Sequence, residues 1–199
     1  MKLIYIDTET TGLYPNVHGI HQLAGIIEID GEVKKEFNYF IRPFANDKIE
    51  FEALKVSNST EQQIMRYAAP DLIYKELIEM LSEYVSKFDK QDKFFIVAYN
   101  AKFDVDFLRA FFRKNNDNYF NSWFWSANID VMAIAAFYFS LKKEKTIIDS
   151  FKLESVCKLL GVEIDGNLHT AADDIRFARE LYKELCARLG VLDGISARY

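Results

Sequence analysis

The sequence predicts an α/β fold in which helices flank a mixed β-sheet, with three antiparallel strands first and parallel strands later. The first observation is a strand-like start over residues 2–7, followed by strand patterns at 23–29 and 33–42 around the turn Asp30-Gly31. The second observation is the continuous apolar run at 94–98, which passes directly into helical spacing. A hairpin followed by strand–helix units is typical of a mixed sheet.

The remaining elements follow from the spacing of apolar residues. Turn-forming residues throughout 43–70 predict loops around one or two short helices. Apolar residues at intervals of three or four predict an amphipathic helix over 71–88. The same spacing predicts helices over 103–112, 129–141, 153–160, which Gly161 ends, and 171–189.

Length and composition limit the classes of protein to which the chain can belong. With 199 residues, 50% of them hydrophobic, the chain can bury one substantial core, so we predict a single domain over 1–199. The apolar runs are far shorter than the roughly 18 residues of a membrane span, so no membrane partner is expected. Cys157 and Cys186 lie in apolar helical patterns and predict buried, reduced thiols in the cytoplasm.

The net charge of −5 argues against a protein that holds duplex DNA through a broad basic surface. It does not argue against a nuclease. Carboxylates gathered around divalent cations present less negative charge to a phosphate than their formal count suggests.

Two carboxylates lie close together where the first predicted strand ends. Asp7 and Glu9 are alternate residues, so their side chains point to the same face of a strand and can converge on one point. Hard oxygen ligands in this arrangement suit Mg²⁺ or Mn²⁺. The alternative interpretation is a solvated acidic turn.

A third carboxylate follows the apolar strand at 94–98. Asp104 shares a helical face with Phe107 and Leu108, whereas Asp106 shares its face with arginines, so Asp104 is predicted to point inward. A buried aspartate needs a partner. Either a metal ion or the backbone N–H groups of a helix start would provide one.

The last predicted helix carries two aspartates and follows a histidine. Asp174 aligns with alanines and a leucine, whereas Asp173 aligns with charged residues, so Asp174 is the candidate for the interior. His169 precedes the helix, where an imidazole that titrates near neutrality suits removal of a proton from water. Its alternative role is that of a capping or surface residue. His18 and His21 are interpreted as surface or substrate-proximal residues, with structural roles favoured.

Together, these signals have the order Asp-x-Glu, Asp at a strand–helix junction, and His-x₄-Asp on the last helix. In this order the chain resembles the DnaQ-like, or DEDDh, 3′-to-5′ exonucleases. The resemblance rests on residues 7–13 (DTETTGL), 100–104 (NAKFD) and 169–174 (HTAADD).

The resemblance implies a ribonuclease-H-like fold and hydrolysis of the terminal phosphodiester bond of DNA or RNA, with release of nucleoside 5′-monophosphates. It implies that His169 is the general base. It also implies that two divalent cations, Mg²⁺ or Mn²⁺, are held by Asp7, Glu9, Asp104 and Asp174. The residues that resemble the family's contacts to the 3′-terminal nucleotide are Thr10, Gly12, Leu13 and Asn100.

Some positions depart from the family pattern or lie outside it. Tyr99 stands where many relatives have a histidine, and residues 57–60 replace a commoner glycine-containing turn. Asp130 resembles a capping residue rather than a ligand. The segment 119–125 holds five aromatic residues, which suit core or interface better than a stacking platform for bases.

The expected partners are single-stranded or frayed 3′ ends of DNA or RNA. A DNA polymerase partner and a homodimer are left open. The sequence ends soon after the last predicted helix, so we expect no long tail for binding a polymerase.

Two alternative functions are a nucleic-acid-binding module without turnover and a ribonuclease-H-type endonuclease. The endonuclease would release oligonucleotides rather than mononucleotides.

Overall fold

A five-stranded mixed sheet forms the centre of the molecule. The computed structural model describes residues 1–142, 148–163 and 170–191. The strands have the spatial order β3-β2-β1-β4-β5, in which β1, β2 and β3 are antiparallel neighbours and β4 and β5 run parallel to β1. This confirms the predicted mixed sheet. The strands are β1 (Lys2–Thr10), β2 (Ile20–Ile29), β3 (Glu32–Phe40), β4 (Phe95–Ala98) and β5 (Ile129–Asp130).

The helices lie mostly where apolar spacing predicts them. They are α1 (Phe51–Val56), α2 (Glu61–Ile64), α3 (Pro70–Ser82), α4 (Ala101–Lys114), α5 (Val131–Ser140), α6 (Leu153–Leu160) and α7 (Ala171–Arg188), with a 3₁₀ turn at Phe120–Ser122.

Two predicted helix boundaries are wrong. The helix predicted over 71–88 ends at Ser82, and the next residues form turns, although Val85 still packs into the core. The helix predicted to start at Ile129 starts at Val131, because residues 129–130 pair with β4 and Asp130 caps the helix. Apolar spacing does not distinguish a short buried strand from the first turn of a helix.

The central strand β1 is covered on both faces. Ile4 and Ile6 pack in a cluster with residues of α3 and α4, whereas Leu3 and Tyr5 pack in a second cluster with α5, α6 and α7. Because side chains alternate along a strand, the odd-numbered residues of β1 face α7. Asp7 and Glu9 continue this odd-numbered series.

The two ends of β1 differ in their neighbours. β1 pairs with β4 only as far as Tyr5 opposite Val97, but β1 itself continues to Thr10. The last residues of β1 therefore extend beyond β4, where the start of α4 approaches them. The described helices include none that is long and apolar enough to cross a membrane.

Candidate active site

The structure brings three of the predicted carboxylates together on the α7 face of the sheet. Asp7 and Glu9 lie two residues apart on β1, and Asp174 approaches them from the first turn of α7. One ligand atom from each of the three carboxylates lies within 4.8 Å of the others. All three residues are partly buried, so their carboxylates are held in one place rather than spread over a solvated surface.

The start of α7 separates the two aspartates of the last helix. Thr170 is the N-cap, and its side chain accepts a hydrogen bond from the Asp173 N–H at 3.2 Å. The Asp173 carboxylate in turn accepts from the Thr170 hydroxyl at 2.9 Å and lies 3.6 Å from Arg176. Asp173 therefore completes the cap, and Asp174 is the residue that joins the carboxylate cluster.

Two ion pairs hold α7 against the sheet. The guanidinium of Arg179 donates to Glu28 of β2 at 2.5 and 2.8 Å; Glu28 is buried and Arg179 is partly buried. One turn earlier, Arg176 donates to Glu36 of β3 at 2.8 Å, with both side chains about half exposed. The exposed pair contributes little to stability, whereas loss of one partner of the more buried pair would leave the other charge uncompensated. These contacts fix the position from which α7 presents Asp174.

Asp104 is bound to the backbone of β1. It is 3% exposed, and its Oδ1 atom accepts hydrogen bonds from the Thr8 N–H at 2.9 Å and from the Thr8 hydroxyl at 2.8 Å. The pairing of β4 with β1 ends before Thr8. The Asp104 carboxylate therefore accepts the backbone hydrogen bond that a carbonyl of a neighbouring strand would otherwise accept. Asp106 instead forms an ion pair with Lys102 and keeps a side chain that is 42% exposed. The predicted inward orientation of Asp104 is confirmed.

Electrostatics within the cluster oppose ionisation. Burial raises the pKa of Asp7, and the negative charges of Asp104, Glu9 and Asp174 raise it further. Burial, together with Asp174 and Asp104, raises the pKa of Glu9 to about 8. Burial also raises the pKa of Asp104 to about 7, although the two Thr8 hydrogen bonds act in the opposite direction.

This donor set fits divalent cations. Carboxylate oxygens are the ligands that Mg²⁺ and Mn²⁺ prefer, and a bound cation favours the ionised form of each carboxylate. Without a cation, several buried like charges would lie side by side. The geometry therefore suits a metal centre better than a solvated turn.

Asp130 organises the turn that leads into α4. Its carboxylate accepts hydrogen bonds from the N–H groups of Asn100 and Ala101, both at 3.2 Å, and from the first N–H groups of α5. Asn100 itself adopts a left-handed conformation, with φ of 61°, and is exposed. The interpretation of Asp130 as a capping residue is confirmed, and its hydrogen bonds also hold the backbone of Asn100 at the start of α4.

The turn after β1 is tightly packed beneath its exposed tip. The Thr10 hydroxyl donates to the carbonyl of Gly12 at 2.7 Å. A Cβ atom at Gly12 would lie 2.4 Å from the ring of His18, so only glycine fits there. Leu13, next in the chain, is 66% exposed. The packed turn thus holds the side chain of Leu13 exposed at its tip.

Both histidines near this turn are buried rather than exposed at the surface. His18 accepts a hydrogen bond from the Tyr14 N–H at 3.0 Å through Nδ1, and its Nε2 atom lies 3.0 Å from a carboxylate oxygen of Glu50. His21 lies 3.2 Å from the Ser57 hydroxyl, and burial lowers its pKa to about 4. The surface interpretation is wrong and the structural one is supported, since long-range packing encloses both rings.

Sequence reasoning missed the role of Thr8. A threonine between two strand carboxylates gives no signal of its own, because its partner Asp104 is distant in sequence. His169 lies outside the described residues. In the aromatic segment, Phe120, Trp123 and Phe124 are buried, so three of its five aromatic side chains belong to the core, as predicted.

A family model described as exonuclease matches residues 4–182 of the chain. Ribonuclease T of Haemophilus ducreyi is 26% identical over 198 residues, which cover 96% of this chain and 87% of that protein. The DNA polymerase III subunit epsilon of Rickettsia conorii is 27% identical over 191 residues, which cover 93% of this chain and 74% of the relative.

Other relatives are much longer than this chain. The PolC-type DNA polymerase III of Thermotoga petrophila is 26% identical over 192 residues, which cover 94% of this chain but 12% of the polymerase. The fold is similar to that of E. coli exonuclease I in complex with a dT13 oligonucleotide, with a TM-score of 0.78 at 20% identity. That similarity covers 98% of this chain and 43% of the exonuclease I chain.

Proposed function

Because this chain belongs to the exonuclease family, as the resemblance to the DnaQ-like 3′-to-5′ exonucleases predicted, we propose that it hydrolyses the 3′-terminal phosphodiester bond of a nucleic-acid strand. Its products would be nucleoside 5′-monophosphates. Residues 1–199 would act as one exonuclease domain.

The observation that carries this proposal is the convergence of Asp7, Glu9 and Asp174, whose ligand atoms lie within 4.8 Å of one another. With Asp104, they would hold two divalent cations, Mg²⁺ or Mn²⁺. When bound, such cations lower the pKa of an attacking water and stabilise the negative charge that develops on the leaving 3′ oxygen. The N–H and the hydroxyl of Thr8 both donate to Oδ1 of Asp104. We therefore assign Oδ2 of Asp104 as its metal-ligand atom.

We assign proton removal from the attacking water to His169. It directly precedes Thr170, the residue that caps α7, and α7 carries Asp174. An imidazole with an ordinary pKa near 6.5 can accept a proton at neutral pH. The four carboxylates suit this task less well, because they would be bound to cations.

The terminal nucleotide would lie on the turn after β1. The exposed side chain of Leu13 offers an apolar contact to a base, and Asn100, which is exposed at the start of α4, would contribute a polar contact. Thr10 and Gly12 would contribute backbone groups. Such contacts recognise backbone and base faces rather than sequence, so the enzyme should accept many sequences.

The choice of substrate and partner has some support from relatives. Exonuclease I binds single-stranded DNA in its solved complexes, whereas ribonuclease T is named for RNA. We propose unpaired 3′ ends as the substrate class. Association with a DNA polymerase is a hypothesis supported by the epsilon and PolC-type relatives. The homodimer and the cytoplasmic location stay predictions.

The test is to incubate 5′-labelled single-stranded DNA and RNA oligonucleotides with the protein in Mg²⁺ or Mn²⁺. EDTA and the variant Asp7→Ala serve as controls. A ladder that shortens from the 3′ end and disappears in both controls is the expected result, and internal fragments would indicate an endonuclease. Intact oligonucleotides that are nevertheless bound would support the binding-module alternative.

A further inference from the structure

An exposed aromatic pair lies at the end of β3. The rings of Phe40 and of Tyr67, in the segment between α2 and α3, have centroids 5.1 Å apart and planes inclined by 51°. Phe40 is 44% exposed and Tyr67 is partly exposed. Both rings therefore keep surface that the described part of the chain does not cover, whereas Phe37 and Tyr39 of the same strand pack in or against the core.

The strand register connects this pair with the carboxylate cluster. Glu9 of β1 is opposite Gln22 of β2, and Gln22 is opposite Phe40 of β3. Residues that are directly opposite one another point to the same face of a sheet, so the three side chains form one row. Neighbouring strands are about 4.8 Å apart, which places Phe40 about 10 Å from Glu9.

Along this row Gln22 is buried, whereas Phe40 is exposed, as is Asn38 two residues before it. Gln22 donates a hydrogen bond to Asn38 at 2.9 Å, and this pair forms a polar floor beside Phe40. A groove of about 200 Å³ separates β3 from the start of α7 and is lined in part by Asn38, Ala172 and Arg176. Among the described residues, this groove and the exposed side chains of Asn38 and Phe40 offer a strand a path along β3 toward the aromatic pair.

Positive charge flanks the pair. Arg42 follows the end of β3, and its N–H donates to the carbonyl of Ala68 at 2.8 Å, beside Tyr67 in the chain. Arg66 directly precedes Tyr67. Both arginines are exposed, and within the described ranges neither forms an ion pair with a carboxylate, in contrast to Arg176. Their guanidinium groups are thus available to phosphates.

We propose that Phe40 and Tyr67 form a stacking site for the base of a nucleotide upstream of the 3′-terminal one. Arg42 and Arg66 contact the phosphates on either side of that base. The ligand is an unpaired nucleic-acid strand of any sequence, since every base offers a face for stacking. This proposal rests on the proposed exonuclease function and defines where its substrate strand leaves the active site.

The test compares two substrates that differ in whether they reach the pair. One is a single-stranded oligonucleotide, and the other is the p-nitrophenyl ester of thymidine 5′-monophosphate, which has no upstream nucleotide. Stacking on an aromatic side chain contributes about 1–3 kcal/mol per base, so Phe40→Ala should raise KM for the oligonucleotide about 5- to 150-fold. The same variant should leave hydrolysis of the ester unchanged.

Three further variants separate stacking from a general loss of structure. Tyr67→Ala should act like Phe40→Ala, whereas Phe40→Tyr keeps a ring and should restore the KM of the unmodified protein. Phe88→Ala is the matched control, because Phe88 is 95% exposed and follows α3, in the segment where the Tyr84 carbonyl contacts Lys2 at the opposite end of β1. Thermal unfolding of each variant verifies that the fold is retained.

Binding without turnover gives an independent measurement. In EDTA, the affinity for a fluorescent oligonucleotide should fall in Phe40→Ala, and its salt dependence should weaken by a slope of about 0.7 for each of Arg42→Gln and Arg66→Gln. If the protein hydrolyses both substrates but Phe40→Ala matches it in KM and affinity, the stacking site is refuted and the exonuclease stands. If neither substrate is hydrolysed in Mg²⁺ or Mn²⁺, the proposed exonuclease function is refuted. The affinities of the variants for the oligonucleotide in EDTA then test the stacking site without it: a lower affinity in Phe40→Ala supports the site, and an unchanged affinity refutes it.

Discussion

Removal of divalent cations should make the stability of the protein fall as the pH rises. Glu9 has a pKa of about 8 in the fold, compared with an ordinary value of 4.5, because it is buried beside Asp174 and Asp104. A carboxylate with a raised pKa stays protonated in the folded protein after it has ionised in the unfolded chain. The stability that protonated Glu9 contributes to the fold is therefore fully present below the ordinary pKa of the carboxyl group. It is lost as the pH rises through the pKa that Glu9 has in the folded protein.

The size of this effect follows from the same values. Each pH unit between the two pKa values corresponds to about 1.4 kcal/mol, so a rise from about pH 5 to about pH 8 should cost on the order of 4 kcal/mol. For a protein of this length, each kcal/mol shifts Tm by about 2–4 °C, which gives a decrease of roughly 10 °C. Asp104, with a pKa raised to about 7, acts in the same direction.

The assay is thermal unfolding in EDTA across this pH range, repeated with Mg²⁺ or Mn²⁺. A cation at about 100 times its Kd should restore about 2.7 kcal/mol, with the larger effect at high pH, where the carboxylates are ionised. Glu9→Gln should flatten the pH dependence in EDTA. Asp106→Asn is the control, because it removes a carboxylate from the exposed side of α4 and should keep the original slope.

Two results would refute this reasoning. One is a Tm in EDTA that stays constant or rises from about pH 5 to about pH 8. The other is a Glu9→Gln variant whose slope equals that of the unmodified protein. Either would mean that Glu9 is not held among the other carboxylates as the structure places it.

Three further predictions concern the remaining site residues. Asp174→Asn should reduce kcat far more than Asp173→Asn, because Asp174 joins the carboxylate cluster whereas Asp173 completes the α7 cap; rates in the opposite order would show that the wrong aspartate has been assigned. His169→Ala should lower the rate about 10²-fold at neutral pH, and an unchanged pH–rate profile would contradict its role as the base. Thr8→Val should destabilise the fold by about 1–3 kcal/mol in chemical denaturation, because the hydroxyl that binds Asp104 is lost; a variant as stable as the unmodified protein would exclude that contact.

Several features of the candidate site were predictable because they depend on local geometry. Strand alternation placed Asp7 and Glu9 on one face, and the helical period distinguished Asp104 from Asp106 by burial. Their roles as metal ligands stay predictions that the activity and unfolding measurements test. The position of His169 in the site likewise stays a prediction.

Other features were not predictable, because they depend on contacts between distant parts of the chain. The burial of His18 requires Glu50 and the turn around Gly12 to close over it. The helix predicted to continue to residue 88 ends at Ser82, although apolar spacing persists beyond it. Apolar spacing reports which residues are buried, but not whether a helix or a turn buries them.

The sequence by itself determined the mixed α/β sheet, the order of the carboxylates along the chain and the family to which they point. These features depend on periodicity and spacing, which a linear chain records directly. Only the tertiary structure decided that Asp104 binds Thr8 where β4 ends, and that Phe40 stands in a row with Glu9. Both arise from strand register and strand length, which are set by pairing between segments far apart in sequence.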